Sequence, residues 1–204
     1  MEECMTIKAV IWDIGGVIMR TEDPTPRDEL TKDLGVTREY LNELIWGGEM
    51  GTKAQIGEVS PEEIWSYVRS ELKLTPGEFP DLRERFFGGD VLDIQLVDFI
   101  RSIQLHYKIG IISNAWQGIA GSLVEWGIDD AFEMVVGSGD VGIMKPDPRI
   151  YQIALERLNV EPHEAVFVDD FIENIHGARQ LGIHAVHFRD RTQTIQELAK
   201  LLGL

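Results

Sequence analysis

Apolar and polar positions alternate in two different ways along this chain, and the change divides it. Residues 7–12, apolar apart from Lys8, predict a strand buried on both faces, and the run stops at Asp13, followed by Ile14, Gly15 and Gly16. From residue 90 onward, amphipathic stretches alternate with short apolar runs. The spacing predicts helices over 91–103, 118–126, 148–158, 172–181 and 194–202, and strands over 108–112, 132–136, 165–168 and 184–188. Helices alternating with short buried strands imply right-handed crossovers. The expected fold class is therefore α/β, a doubly wound parallel sheet with a Rossmann-like core.

Between these parts the pattern turns wholly helical. From residue 20 to 89 Pro24 and Pro26 act as helix entry signals, and turns fall at Leu34-Gly35 and Gly47-Gly48. Residues 37–46 carry Tyr40, Leu41, Leu44 and Ile45 at helical spacing. Ser60-Pro61-Glu62-Glu63 is a capping box with proline at the first helical position, and Ile64, Trp65, Tyr67 and Val68 follow as its apolar stripe. A third piece runs over 77–87. The expected organisation is an α/β core made of 1–19 and 90–204, with a small all-helical cap, 20–89, inserted after the first strand. Trp46 and Trp65 are read as core of that insertion rather than as pocket lining.

The 204 residues, 44% of them hydrophobic, suffice for one good core and a smaller second unit. A formal charge of -16 argues against nucleic acid or an anionic membrane as partner, while leaving room for a small phosphorylated ligand that needs only local positive charge. The single cysteine, Cys4, excludes an internal disulfide and makes a reducing cytoplasm the simplest compartment. No basic-then-apolar leader opens the chain and no apolar run reaches about 18 residues, so a soluble cytoplasmic protein is expected, as monomer or homodimer.

Four polar signatures sit at strand ends or on loops of the core: Asp13, Ser113-Asn114 after the run 109–112, Lys145-Pro146-Asp147-Pro148, and Asp169-Asp170 after 165–168. In this order and spacing they resemble the four motifs of the haloacid dehalogenase-like superfamily, over nearly the whole chain. The residues suit phosphate-ester chemistry on their own terms. A carboxylate attacking a phosphate ester needs the ester's charge neutralised, and Mg2+ with a lysine is a usual means.

The resemblance implies that Asp13 is the nucleophile and a metal ligand, with the Gly15 carbonyl as a second ligand. It makes Asp170 the direct metal ligand and Asp169 its support, although two adjacent aspartates are not separated by sequence alone. The Ser113 hydroxyl and the following backbone N–H, that of Asn114, suit phosphoryl oxygens, and Lys145 balances the charge on Asp13 and the phosphoryl group. Asp147 before Pro148 fits a helix N-cap, and Asn174 is a candidate for holding the metal loop. The five histidines show no metal-ligand spacing and receive no role. Arg20, behind the first motif, is either a contact for a second anionic group or an ordinary surface arginine.

One position departs from the pattern. Most phosphatases of this superfamily carry a second aspartate two residues after the nucleophile, as general acid and base, and here that position is Gly15. The expected activity is a Mg2+-dependent phosphatase of small phosphorylated metabolites, sugar phosphates among them, working through an aspartyl-phosphate on Asp13. The stretch 13–17 resembles a subgroup that includes sugar-1-phosphate phosphatases and the phosphatase-like domain of some epoxide hydrolases. Two alternatives follow from Gly15: a 2-haloacid dehalogenase, whose halide leaves without a proton, and a degenerate domain that binds a phospholigand or a protein without turnover.

Overall fold

The computed structural model describes residues 6–204, so Cys4 lies outside the described residues. In chain order β1 (Ala9–Trp12) leads into a short β2 (Met19–Thr21) and five helices: α1 (Thr25–Leu34), α2 (Arg38–Trp46), α3 (Gly48–Gln55), α4 (Pro61–Glu71) and α5 (Leu82–Phe87). The chain returns through β3 (Asp90–Leu92) to α6 (Ile94–Ile103), β4 (Lys108–Ser113), α7 (Ile119–Glu125), β5 (Met134–Gly137) and a short α8 (Ser138–Val141). It finishes with α9 (Pro148–Leu158), β6 (Ala165–Asp169), α10 (Ile172–Gln180), β7 (His184–His187) and α11 (Arg191–Leu202).

Five parallel strands form one sheet in the order β5-β4-β1-β6-β7, with β1 at its centre. Both faces are covered, which is why β1 reads as an unbroken apolar run rather than an alternating one. Val10 and Trp12 pack with Leu96, Ile100 and Leu198 on one face; Ala9 and Ile11 pack with Tyr151, Ala154 and Ile175 on the other. The register aligns Trp12 with Ile111 on β4 and with Val168 on β6. The polar residues that follow these three strands are thereby brought to one edge, the C-terminal edge where an α/β sheet binds its ligands.

The helices between β2 and β3 gather around an apolar cluster of their own, built from Leu30, Leu41, Leu44, Ile45, Val68, Leu82 and Phe86. The Ser60 capping box is formed as expected. The predicted helix over 91–103 begins instead at Ile94, because Asp93 caps it by accepting from the Leu96 N–H at 3.0 Å. Residues 90–92 are a strand, pairing antiparallel with β2, so chain enters and leaves the helical unit through a two-stranded ribbon. Arg20 on that ribbon is neither free nor aimed at a ligand. It donates to Asp93 at 2.8 Å, to Glu22 at 3.0 Å and to the Val17 carbonyl at 2.8 Å. The last helix starts earlier than its apolar pattern, at Arg191, because Asp190 caps it through the Gln193 N–H. No helix among the described residues is long and apolar enough to cross a membrane.

Candidate active site

Lys145 is the centre of a buried charge cluster at this edge of the sheet. Its ammonium lies 2.8 Å from Asp13 Oδ1 and 2.6 Å from Asp169 Oδ2, and it donates to the Ile112 carbonyl at 3.0 Å. An ammonium has three hydrogens, and three acceptors surround this one, so its position is fully determined. The backbone of Lys145 is fixed as well. Asn114 Oδ1 accepts from the Lys145 N–H at 2.7 Å, and Asn114 Nδ2 donates to the Lys145 carbonyl at 3.0 Å. The side chain of Asn114 is thus committed to holding the lysine loop.

The two adjacent aspartates are in opposite conditions. Asp169 is fully buried and richly satisfied: besides Lys145, Asn174 Nδ2 donates to both of its oxygens at 3.1 and 3.0 Å, and the Phe171 N–H donates to Oδ1 at 2.7 Å. Asn174 is held in turn by the Tyr151 hydroxyl, which donates to its carbonyl at 2.9 Å. Asp170 has a buried Oδ1 with no hydrogen-bond partner among the described residues. An orphaned carboxylate oxygen out of water is costly unless a cation meets it.

One ammonium faces three carboxylates here, for oxygens of Asp13, Asp169 and Asp170 all lie within 4.8 Å of one another. Burial pushes the Asp13 carboxyl well above the ordinary carboxylate range; Lys145 opposes the rise and the neighbouring charge of Asp169 adds to it. Asp170 is raised by burial and then by Asp169. The donor set is all oxygen and carries excess negative charge, which fits a hard divalent cation such as Mg2+. Asp13 and Asp170 have oxygen to give, whereas the oxygens of Asp169 are already engaged.

Around this cluster the remaining sequence candidates fall as follows. Ser113 is buried at the C-terminal end of β4, beside the Asn114 clamp. Gly15 is exposed, and a Cβ there would meet nothing within 4 Å. Asp147 caps α9 through the Arg149 N–H, and its carboxyl is held down to about 2 by Arg149. Two residues escaped sequence reading. His187 Nε2–H donates to the Asp170 carbonyl at 2.8 Å, and Tyr151 supports Asn174. Neither carries a local signal, since one is a strand-end histidine and the other a core aromatic.

A family model described as haloacid dehalogenase-like hydrolase matches residues 7–182. The sesquiterpene phosphatase AstK of Aspergillus oryzae is 25% identical over 205 residues, covering 98% of this chain and 99% of that protein. Bifunctional epoxide hydrolase 2 of Sus scrofa is 26% identical over 98% of this chain, which spans only 40% of that protein's length. Among solved structures, a haloacid dehalogenase family enzyme from Bacteroides thetaiotaomicron, in complex with magnesium and inorganic phosphate, superposes with a TM-score of 0.76. It is 20% identical and covers 90% of this chain and 94% of its own, a likeness of fold. With the matching family model and the shared fold, the chain belongs to the haloacid dehalogenase-like hydrolases.

Proposed function

We propose that the chain is a Mg2+-dependent phosphatase of small phosphorylated metabolites in which Asp13 is the nucleophile. The observation that carries this reading is the pairing of a buried lysine, shared by Asp13 and Asp169, with an Asp170 oxygen that has no partner. A site meant only to stabilise the fold leaves no carboxylate oxygen unmet, whereas a phosphoryl-transfer site needs spare oxygen ligands beside a nucleophile.

A cation held by Asp13, Asp170 and the Gly15 carbonyl would neutralise charge on the phosphoryl oxygens and on the attacking carboxylate. Lys145 and the Ile14 N–H, at 2.8 and 2.7 Å, hold Oδ1 of Asp13, and the lysine charge opposes the rise in pKa that burial imposes, favouring the ionised nucleophile. A carboxyl oxygen of Asp13 attacks phosphorus as the bond to the ester oxygen breaks; the leaving alkoxide takes up a proton from solvent water, and water then hydrolyses the aspartyl-phosphate, releasing inorganic phosphate and restoring Asp13. The Ser113 hydroxyl and the Asn114 N–H donate to phosphoryl oxygens. Asp169 does not touch the ligand; it fixes Lys145. The helical unit between β2 and β3 serves as the cap over this edge, excluding water and selecting the substrate. The AstK relative, a phosphatase matched end to end, supports the phosphatase reading over the dehalogenase one.

The test is release of inorganic phosphate and of halide across alkyl, aryl and acyl phosphates and short haloacids, with and without Mg2+. Phosphate release that requires Mg2+ and is abolished in Asp13→Asn is expected. Halide release without metal would replace this reading by the dehalogenase, and silence on every substrate would favour a binding-only domain.

A further inference from the structure

Trp116 lies on the loop after β4, three residues beyond Ser113, yet its ring packs into the helical unit. It stacks on Trp46 with centroids 4.7 Å apart and planes at 29°, and it meets Trp65 edge-on at 5.9 Å. Trp65 in turn meets Phe86 at 6.1 Å and Phe87 at 6.2 Å, and Trp46 meets Phe87 at 6.2 Å, so five rings form one cluster. Phe86 is buried, and the other four are only partly so. The indole N–H groups of Trp65 and Trp116 are sealed from water with no acceptor among the described residues.

Three residues of chain span at most about 11 Å, so this aromatic surface begins within one small molecule's length of the group assigned to the phosphate. The connecting loop is rigidly set. The Ala115 N–H donates to Ser138 Oγ at 3.0 Å, the Gly118 N–H to Asp140 Oδ1 at 3.0 Å, and Gln117 Nε2 to the Gly57 carbonyl of the helical unit at 3.2 Å. Arg27 stacks on the buried Phe86 at 4.2 Å and is taken up by Asp90 and the Phe86 carbonyl, while Trp65 lines a cavity with Glu62, Arg69, Arg83 and Glu84. A polyol laid on Trp46, Phe87 and Trp116 would leave most of its hydroxyls without partners, at a cost of about 1–3 kcal/mol each. A hydrocarbon or aromatic group would instead exchange water for ring contacts.

Resting on the phosphatase reading above, we infer that the alcohol released from the substrate is hydrocarbon-rich or aromatic, carries few oxygens, and lies on Trp46, Phe87 and Trp116. This narrows the substrate class away from sugar phosphates.

The deciding comparison is kcat/KM for n-octyl phosphate, kept below its micelle concentration, against glycerol 3-phosphate, with acetyl phosphate as a reference that lacks an alcohol. Both esters release primary alcohols, so the chemistry is alike and the tail differs. Octyl phosphate is expected to be preferred at least tenfold, chiefly through KM. Trp116→Ala should bring the ratio toward one, and Trp116→Phe, which keeps a ring, should retain most of it. Equal or better use of glycerol 3-phosphate by the wild type overturns the inference. Failure to hydrolyse even acetyl phosphate would count against the phosphatase reading instead. In that event binding of octyl phosphate, followed by tryptophan fluorescence, decides: a saturable shift lost in Trp116→Ala upholds the aromatic site, and no saturable shift refutes it.

Discussion

Gly16 and Asp170 meet through a space that no side chain can share: a Cβ on Gly16 would lie 2.1 Å from Asp170 Oδ2. Gly16 also has a φ of +76°, in the left-handed region that L side chains rarely adopt. The second glycine of the Asp13 loop is therefore what lets a carboxylate just beyond β6 approach the nucleophile loop so closely. Gly16→Ala should lower stability by about 1–3 kcal/mol through backbone strain alone. It should also push Asp170 aside and weaken Mg2+ binding at least tenfold, measured by calorimetric titration. Unchanged Mg2+ affinity with only the stability lost would remove Asp170 from the ligand set.

Gly15 is the opposite case. Nothing lies within 4 Å of the place its Cβ would occupy, and its φ is not among the positive ones, so a side chain fits without strain. If protonation of the leaving alcohol limits turnover, Gly15→Asp should raise kcat on alkyl phosphates about tenfold or more and change aryl phosphates less, since a phenolate leaves without help. Equal gains, or none, in a folded variant would show that another group already supplies the proton.

Lys145→Met tests the cluster itself. The lysine is 3% exposed and serves two carboxylates, so a neutral replacement of similar length leaves both charges buried and unpaired. Breaking such a pair costs about 3–5 kcal/mol, to be read from the urea midpoint. Adding Mg2+ should return part of that loss, because the cation compensates the same charges, while phosphate release should stay below detection. A variant as stable as the wild type would mean that the three carboxylates are not ionised together in the native protein.

Much of this arrangement was legible because strands buried on both faces write themselves as apolar runs, and each such run here ends in a polar residue: Asp13, Ser113 and Asp169. The division of labour between Asp169 and Asp170 was not legible, since the two are chemically identical neighbours. It follows from the two-residue period of β6. Asp169 shares a face with Phe167, where Tyr151 and Asn174 lie, and Asp170 falls just beyond the strand. The ribbon of β2 and β3 was missed because two three-residue strands, mostly half exposed, carry no alternation to read. Trp116 drew no role from the sequence because its packing partners are some 50 to 70 residues away in the helical unit.

Asp93 anchors the end of that ribbon. Its side chain is 2% exposed and accepts from Arg20 at 2.8 Å, from Arg191 at 2.5 Å and from the Leu96 N–H at 3.0 Å, tying β3, β2 and the start of α6 and α11 together. Burial alone would raise its pKa. The hydrogen bonds from Arg20, Leu96 and Arg191 outweigh burial and hold the carboxyl below its ordinary value. A folded-state pKa below the unfolded one, about 3.9, gives stability that is complete above that value and lost as pH falls through the folded pKa. Asp93→Asn should therefore cost about 2–3 kcal/mol near pH 7, including part of the helix cap, and less as the pH approaches 3. Urea unfolding of both proteins at the two pH values measures the gap. A gap that does not shrink on acidification would mean that Asp93 stabilises the junction by shape and neutral hydrogen bonds rather than by its charge.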